Sequence, residues 1–291
     1  MPKPTLRFAP SPNGKLHLGH AYSALLNLEA ARRLGGRLLL RIEDIDTARC
    51  TPEFEAGIFR DLEWLGLDLE TPVRRQSEHL AEYAGLLDRL IADDLIYPAF
   101  MSRGEVRAWI AERETLGEIW PRDPDGVPMY PGTEKALGVR ERRRRMAEGE
   151  PFAWRLDTDR VLEGLGRDLT WTEFGDATMD TARQEAALPE RWGDVLLARK
   201  DIPTSYHLSV VADDALQGIS HVVRGMDLFA ATGIHRLLQE MLGLPQPAYF
   251  HHALILGPDG RKLSKSFRDT GIEALREAGG TPDDIRAMVG L

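Results

Sequence analysis

Arg7-Phe8-Ala9-Pro10-Ser11-Pro12-Asn13-Gly14-Lys15-Leu16-His17-Leu18-Gly19-His20 is the stretch that decides how this chain is read. Leu6–Phe8 reads as a short buried strand. A turn rich in Pro10, Pro12 and Gly14 follows, and a helix begins near Gly19-His20. The N-terminus of a helix carries unsatisfied N–H groups and a partial positive charge, so it attracts phosphates. Gly19 has no side chain and lets a nucleotide pack close. His17 and His20 bring N–H donors that can meet charge developing on a transferring phosphoryl group. The plainer reading of His-x-Gly-His is a pair of surface histidines in a loop.

Outward from this loop, the pattern alternates. Ala21, Ala24, Leu25, Leu28 and Ala31 recur at helical spacing, and Gly35-Gly36 stops the helix. Leu38-Leu39-Leu40-Arg41-Ile42 reads as a buried strand. Thr51 and Pro52 suit N-cap and N1 of a helix that turns Phe54, Ile58, Leu62 and Leu65 inward. Another helix is expected over Leu80 to Leu95, with Tyr83, Leu87, Leu90 and Ile91 on one side. Strands alternating with such helices predict an α/β fold with a parallel sheet. From Tyr97 to Leu188 the pattern changes to scattered Pro and Gly, the run Arg140 to Arg145 and short pieces such as Phe152-Ala153-Trp154-Arg155. This segment reads as an insertion rather than as part of the sheet. The α/β pattern resumes with Val195–Arg199, His207–Ala212 and His221–Arg224, then a helix from Leu228 to Leu242.

Composition sets the bounds. The 291 residues are 43% apolar and 29% charged, ordinary for a globular protein. No stretch approaches eighteen uncharged apolar residues, and Met1–Thr5 lacks the apolar run of a signal peptide, so a cytoplasmic enzyme is expected. Cys50 is the only cysteine, which excludes an internal disulfide and a multi-cysteine zinc site. The formal net charge of -9 argues against indiscriminate nucleic-acid binding but leaves room for a local basic patch.

A second segment, Lys262-Leu263-Ser264-Lys265-Ser266, follows Gly257-Pro258-Asp259-Gly260. Lysines there can neutralise a departing pyrophosphate, although alone the run reads as a solvated basic turn. Taken together, His17-Leu18-Gly19-His20 and Lys262–Ser266 resemble the HIGH and KMSKS signatures of class I aminoacyl-tRNA synthetases, with Leu263 in place of Met. Arg7–Pro12, Arg41–Thr47, Tyr206 ahead of Asp213-Asp214, and Val223–Leu228 are similar to the glutamyl group. The resemblance covers residues 5 to 95 and 190 to 268 well, and the middle loosely.

It implies a Rossmann-type (HUP-like) parallel-sheet catalytic domain in two halves, 1–96 and 189–256. Between them lies an α+β insertion, 97–188, and 257–291 would hold the KMSKS-type loop and a short helix around Ile272-Ala278. It implies His17, His20, Lys262 and Lys265 as catalytic residues, and ATP held by His17, Gly19, His20 and Lys265 with Mg²⁺ on its phosphates. L-glutamate would be held by Arg7, Ala9, Ser11, Glu43, Tyr206 and Arg224. The chemistry agrees: Arg7 and Arg224 can grip carboxylates bidentately, Glu43 can pair with the α-ammonium, and Tyr206 and Ser11 can add hydroxyl bonds. The competing assignments are an Arg41 salt bridge to Glu43 or Asp44, and a core tyrosine at Tyr206.

The chain stops 25 residues after Ser266, where glutamyl-tRNA synthetases carry an anticodon-binding region. The short form resembles the glutamyl-queuosine tRNA(Asp) synthetase family. That resemblance implies transfer of glutamate to the queuosine base at the wobble position of tRNA(Asp). No exposed apolar helix face stands out in the sequence, so a monomer without a membrane role is expected. The alternatives are a glutamyl-tRNA synthetase that charges tRNA(Glu) with a separate anticodon-binding partner, and a non-catalytic tRNA- or amino-acid-binding paralogue. Arg140, Arg142, Arg143, Arg144 and Arg145 would serve as phosphate contacts, or as a solvated helix face balanced by Glu141, Glu148 and Glu150. Many relatives hold zinc in the insertion; the matching positions here are Ala99, Met101, Tyr130 and Glu134, which make a poor zinc set, and apolar packing around Phe100, Met101 and Trp109 is expected instead. Metal analysis of the purified protein is therefore expected to find no stoichiometric zinc, and one zinc per chain would overturn this.

Overall fold

The computed structural model describes residues 3–199, 201–257 and 271–291. In chain order these form β1 (Thr5–Phe8), α1 (Leu18–Arg33), β2 (Arg37–Ile42), α2 (Pro52–Trp64), β3 (Arg74–Arg75), α3 (Leu80–Ala92) and β4 (Ile96–Ala99). Next come α4 (Arg103–Thr115), α5 (Val139–Ala147), β5 (Ala153–Leu156), α6 (Thr158–Leu165), β6 (Thr170–Phe174) and β7 (Ala182–Ala186). The last third holds β8 (Leu196–Arg199), α7 (Tyr206–Leu216), β9 (His221–Gly225), α8 (Ala231–Leu242), β10 (Ala248–His252), α9 (Ile272–Glu277) and α10 (Pro282–Val289).

Local chemistry explains the first half. Thr51 Oγ1 accepts from the Phe54 amide at 3.3 Å, with Pro52 at the first helical position, so α2 starts where its cap predicts. The Gly35-Gly36 pair ends α1 for two different reasons. Gly35 takes a left-handed φ of 59°, and a Cβ on Gly36 would stand 2.6 Å from the Pro4 carbonyl oxygen. That same carbonyl accepts from the Arg37 amide at 2.9 Å and begins the parallel β1–β2 ladder, Thr5↔Arg37 to Phe8↔Leu40. All four residues of β1 are buried, as suits a strand covered on both faces.

The main sheet comes in two parts, β1-β2-β3 and β7-β6-β10-β9. They meet edge to edge at Thr5 and Ser220: the Ser220 amide donates to the Thr5 carbonyl at 2.9 Å, and the Thr5 amide donates to Ser220 Oγ at 2.9 Å. From this junction the sheet runs from β1 to β2 on one side and from β9 to β10 on the other. A crevice at the carboxyl ends of two such strands is the place where open α/β sheets bind ligands. One core, under α1 and α2, takes in Ile272, Ile285 and Val289 from the C-terminal helices; a second gathers around α3, α6, α7 and α8.

Several expectations need correction. Tyr206 and His207–Ala212 form the start of α7, capped by Ser205, rather than a strand. An apolar run buried on all sides has no periodicity to separate strand from helix. The helix expected from Leu228 begins at Ala231, after a 3-10 turn over Met226–Leu228. Ile91 is 36% exposed rather than inward. Beyond the helix expected near Ile272, a second helix, α10, follows with its own Thr281 cap. Strand pairing also crosses the boundary drawn at 188: β6 joins the main sheet through a parallel pair with β10, whereas β8 pairs antiparallel with β5 in a separate β4-β5-β8 sheet.

The four zinc-matching positions do come together, but around a carboxylate instead of an apolar plug. Glu134 is 3% exposed. Its Oε1 accepts from the Phe100 amide at 2.9 Å, the Met101 amide at 3.3 Å and the Tyr130 hydroxyl at 2.7 Å. Arg145 covers the Phe100 ring at 4.0 Å, and Trp109 packs on Trp120 instead. A carboxylate that accepts several donors does mechanically what a bridging metal does. Glu134→Ala would orphan these donors, so a loss of about 2–3 kcal/mol is expected in denaturant unfolding. A change below about 0.5 kcal/mol, the range of surface substitutions, would overturn the assignment.

Candidate active site

The crevice between β1 and β9 is a cleft of about 630 Å³. Arg7, Ala9, Ser11, His17, Gly19, His20, Glu43, Tyr206 and Arg224 all line it. Lys262 and Lys265 lie outside the described residues. Their described flanks bear on the cleft: Leu254 and Ile255 line it, and Gly271 pairs with His17 through a backbone bridge.

The histidine loop is built by capping. His17 is the N-cap of α1, and its Nδ1 accepts from the Gly19 amide at 3.2 Å. His20 Nδ1 accepts from the His17 amide at 3.1 Å, and the two rings lie 3.8 Å apart. A ring nitrogen that accepts cannot carry the proton, so each neutral ring bears its N–H at Nε2. Both donors therefore belong to a helix end whose backbone dipole already favours an anion. A Cβ on Gly19 would lie 3.1 Å from the His17 ring, so a larger residue here would press on the capping histidine.

Beneath the cleft runs a network of buried charge. Asp214, on α7, accepts from Arg7 Nε at 3.1 Å and from Arg41 Nη1 at 2.7 Å through one oxygen. Arg41 also reaches Glu43 at 3.0 Å, so the competing salt bridge and the cleft-lining carboxylate coexist in one residue. The neighbouring Asp213 takes Arg74 at 2.7 Å, Gln76 at 2.8 Å and the Tyr83 hydroxyl at 3.0 Å. Burial opposes ionisation of Asp214, yet Arg7 and Arg41 hold its carboxyl below the usual range. For Glu43 burial wins and raises it, despite Arg41 and Arg7. Burial likewise raises the Tyr206 phenol.

Arg7 and Arg224 are not equivalent. Arg7 spends Nε on Asp214, and among the described residues its Nη atoms make no hydrogen bond, so its fork can take a carboxylate end-on. Arg224 gives Nε to His251 at 3.0 Å, Nη1 to His235 at 3.1 Å, and Nη2 to the Leu228 carbonyl at 3.1 Å and Thr232 Oγ1 at 2.7 Å. A guanidinium has five N–H donors. The bidentate grip expected of Arg224 is thus reduced to the second N–H of Nη1. Sequence reading missed His207, His235 and His251 altogether; a histidine inside an apolar helix or strand was the available sign.

A second cleft, about 1050 Å³, opens between α4, the 120–130 segment and the start of α7. Ser11, Glu43 and Tyr206 line both clefts. Arg103, Arg107 and Arg199 stand on its walls beside Tyr130 and Trp192. Of the arginine run on α5, Arg142 donates to the Glu134 and Lys135 carbonyls, Arg144 pairs with Glu141 and Glu148, and Arg145 pairs with Glu150. Arg140 and Arg143 have no such partner among the described residues, which leaves two of the five arginines for a phosphate role. Among the described residues no helix is long and apolar enough to cross a membrane.

The chain resembles known proteins over nearly its whole length. The family model of class I tRNA synthetases (E and Q), catalytic domain, matches residues 4–290. A Rhodobacter capsulatus protein named glutamyl-Q tRNA(Asp) synthetase is 44% identical over 98% of this chain and 99% of its own length. A Syntrophus aciditrophicus protein named glutamate–tRNA ligase 2 is 37% identical over 99% of this chain and 57% of its own. Among solved structures, a glutamate tRNA ligase from Elizabethkingia meningosepticum in complex with its amino acid superposes with a TM-score of 0.72 and 28% identity; the alignment covers 92% of this chain and about half, 53%, of that one. A ligase-type parallel sheet, a histidine-capped helix end at its switch point and a family match from end to end lead to one assignment: the chain belongs to the class I tRNA synthetases of the glutamyl and glutaminyl type.

Proposed function

We propose that the chain activates L-glutamate with ATP and transfers the glutamyl group to the queuosine base at the wobble position of tRNA(Asp), in the cytoplasm and as a monomer. The observation that carries the activation step is the convergence, at one switch-point crevice, of two arginines, a carboxylate and a helix end that bears two Nε2–H donors. The observation that favours queuosine is the higher identity to the Rhodobacter relative named glutamyl-Q tRNA(Asp) synthetase, 44%, against 37% for the glutamate–tRNA ligase from Syntrophus.

In this reading Arg7 and Arg224 take the two carboxylates of glutamate, Glu43 takes the ammonium, and Ser11 and Tyr206 add hydrogen bonds, with the Ala9 backbone alongside. An α-carboxylate oxygen attacks the α-phosphorus of ATP in line. The bond from that phosphorus to the bridging oxygen breaks, and pyrophosphate leaves. The α1 N-terminus with His17, Gly19 and His20 stabilises the charge on the α-phosphate, while Lys262 and Lys265 neutralise the leaving group. Magnesium accompanies ATP as its phosphate complex.

The acceptor approaches through the larger cleft, where Arg103, Arg107 and Arg199 suit RNA phosphates and Tyr130 and Trp192 suit a base. The two clefts meet at Ser11, Glu43 and Tyr206, which puts the activated carbonyl at their junction. A queuosine hydroxyl attacks that carbonyl, AMP departs with the bonding pair, and the proton passes to solvent or to the AMP phosphate. Positioning supplies the rate here, since the mixed anhydride is already reactive.

Radiolabelled glutamate offered with ATP should attach to tRNA(Asp) that contains queuosine and not to the same RNA without it. Label on tRNA(Glu) instead would favour charging of tRNA(Glu); label on neither, with intact ATP–pyrophosphate exchange, would remove the acceptor assignment. A second test separates the two jobs of His17. His17→Ala should lose both the cap, about 1 kcal/mol, and the Nε2–H donor, about 100-fold in exchange rate. His17→Asn should restore the melting temperature but not the exchange rate. Equal recovery of both would show that His17 acts only as a cap.

A further inference from the structure

Three arginines are buried around the amino-acid end of the cleft, and they are neutralised differently. Arg7 and Arg41 share the Asp214 carboxylate. Arg224, only 5% exposed, has no carboxylate on it among the described residues: its four acceptors there are two imidazoles, one hydroxyl and one carbonyl. A buried cation without a counter-charge is costly, and the protein retains that cost at the wall of a binding cleft.

The imidazoles are held neutral by their own bonds. His251 Nε2 accepts from Arg224, so its proton sits at Nδ1, which donates to Glu173 at 2.9 Å. Glu173 is in turn fixed by the His251 amide at 2.9 Å and Trp171 Nε1 at 3.0 Å. His235 Nδ1 accepts from Arg224, so its Nε2–H donates to His207 Nδ1 at 3.2 Å. A second proton on either Arg224-facing ring would break its bond to the guanidinium. Burial and then the Arg224 charge push His207 down to about 4 and His235 well below its ordinary value; burial leads the same fall, to about 4, at His251. Glu173 is thereby kept one ring away from Arg224.

The reacting α-carboxylate of the substrate must lie beside the His17–His20 helix end, where the phosphates dock. In this reading the group that meets Arg224 is then the side chain. We propose that His235 and His251 are positioning residues that hold Arg224 as an uncompensated cation for the substrate's side-chain carboxylate, and so set the preference for glutamate over glutamine. This rests on the glutamate reading above. With a carboxylate in place of either ring, the guanidinium would already be paired, and a substrate carboxylate would gain little over an amide.

Asn and Asp at position 235 have the same shape and differ in charge. ATP–pyrophosphate exchange, with queuosine-containing tRNA(Asp) present, is measured for L-glutamate and L-glutamine with wild type, His235→Asn and His235→Asp. Both variants should lose activity. His235→Asn should keep the glutamate preference within about threefold, whereas His235→Asp should raise the glutamate KM about tenfold or more, with a smaller change in kcat and no rise in the glutamine KM. Equal effects of Asn and Asp, or a proportional loss for both amino acids, would overturn the proposal. If His235→Asp does not fold, Thr232→Asn and Thr232→Asp put the same charge difference on Nη2 and must give the same split. No glutamate-dependent exchange by the wild type would overturn the glutamate reading itself, whereas intact wild-type exchange with matching variants would overturn only the role of the histidines.

Discussion

Asp214 is the residue on which the arrangement depends. β1 and β2 are adjacent parallel strands, and each sends an arginine into the same buried space: Arg7 at 4% and Arg41 at 0% exposure. Two cations cannot be buried side by side without an anion between them, and losing one partner of such a pair costs about 3–5 kcal/mol because the remaining charge is stranded. Asp214 supplies that anion from a third element, α7. Its neighbour Asp213 lies 3.7 Å from Arg41 Nε and also ties down Arg74, Gln76 and Tyr83. Two successive acids on one helix thus clamp β1, β2 and β3 to α7, and the clamp has a consequence at the helix's other end. Tyr206, the first residue of α7, is carried to the rim of both clefts.

The histidine loop depends on a different principle. A helix that begins at the carboxyl end of a buried strand exposes its amides to whatever binds there, and those amides need partners. Here two imidazoles serve as the cap through their Nδ1 atoms, which leaves the ring proton at Nε2. Stability and phosphate recognition are therefore written into the same two side chains. Arg224 shows the same economy. The groups that hold it in place are uncharged, so holding it does not spend its charge.

The insertion earns its place through the larger cleft. Glu134 gathers the Phe100 and Met101 amides and the Tyr130 hydroxyl, and Met101 and Tyr130 both line that cleft. Trp192 and Arg199, from the chain that returns to the main sheet, form its other side. The pairing of β8 with β5 joins the two walls.

What could be read without coordinates was local. The strand–turn–helix around Arg7–His20, the Thr51-Pro52 cap and the Gly35-Gly36 stop all act within a few residues, and propensity and capping are short-range properties. The nine described side chains and backbone positions expected at the site do line one cleft, because that resemblance rests on spaced motifs rather than on folding details. Tertiary structure alone decided the rest. It made α7 a helix, since an apolar run covered on all faces carries no period. It put β6 beside β10 and β8 beside β5, since partners 76 and about 45 residues apart are chosen by whole-sheet packing. It replaced an expected apolar plug with Glu134. It also separated Arg7 from Arg224, which look alike in the sequence. One is paired with a carboxylate and the other with neutral rings, and which charges meet in a low-dielectric interior depends on long-range contacts that no single segment encodes.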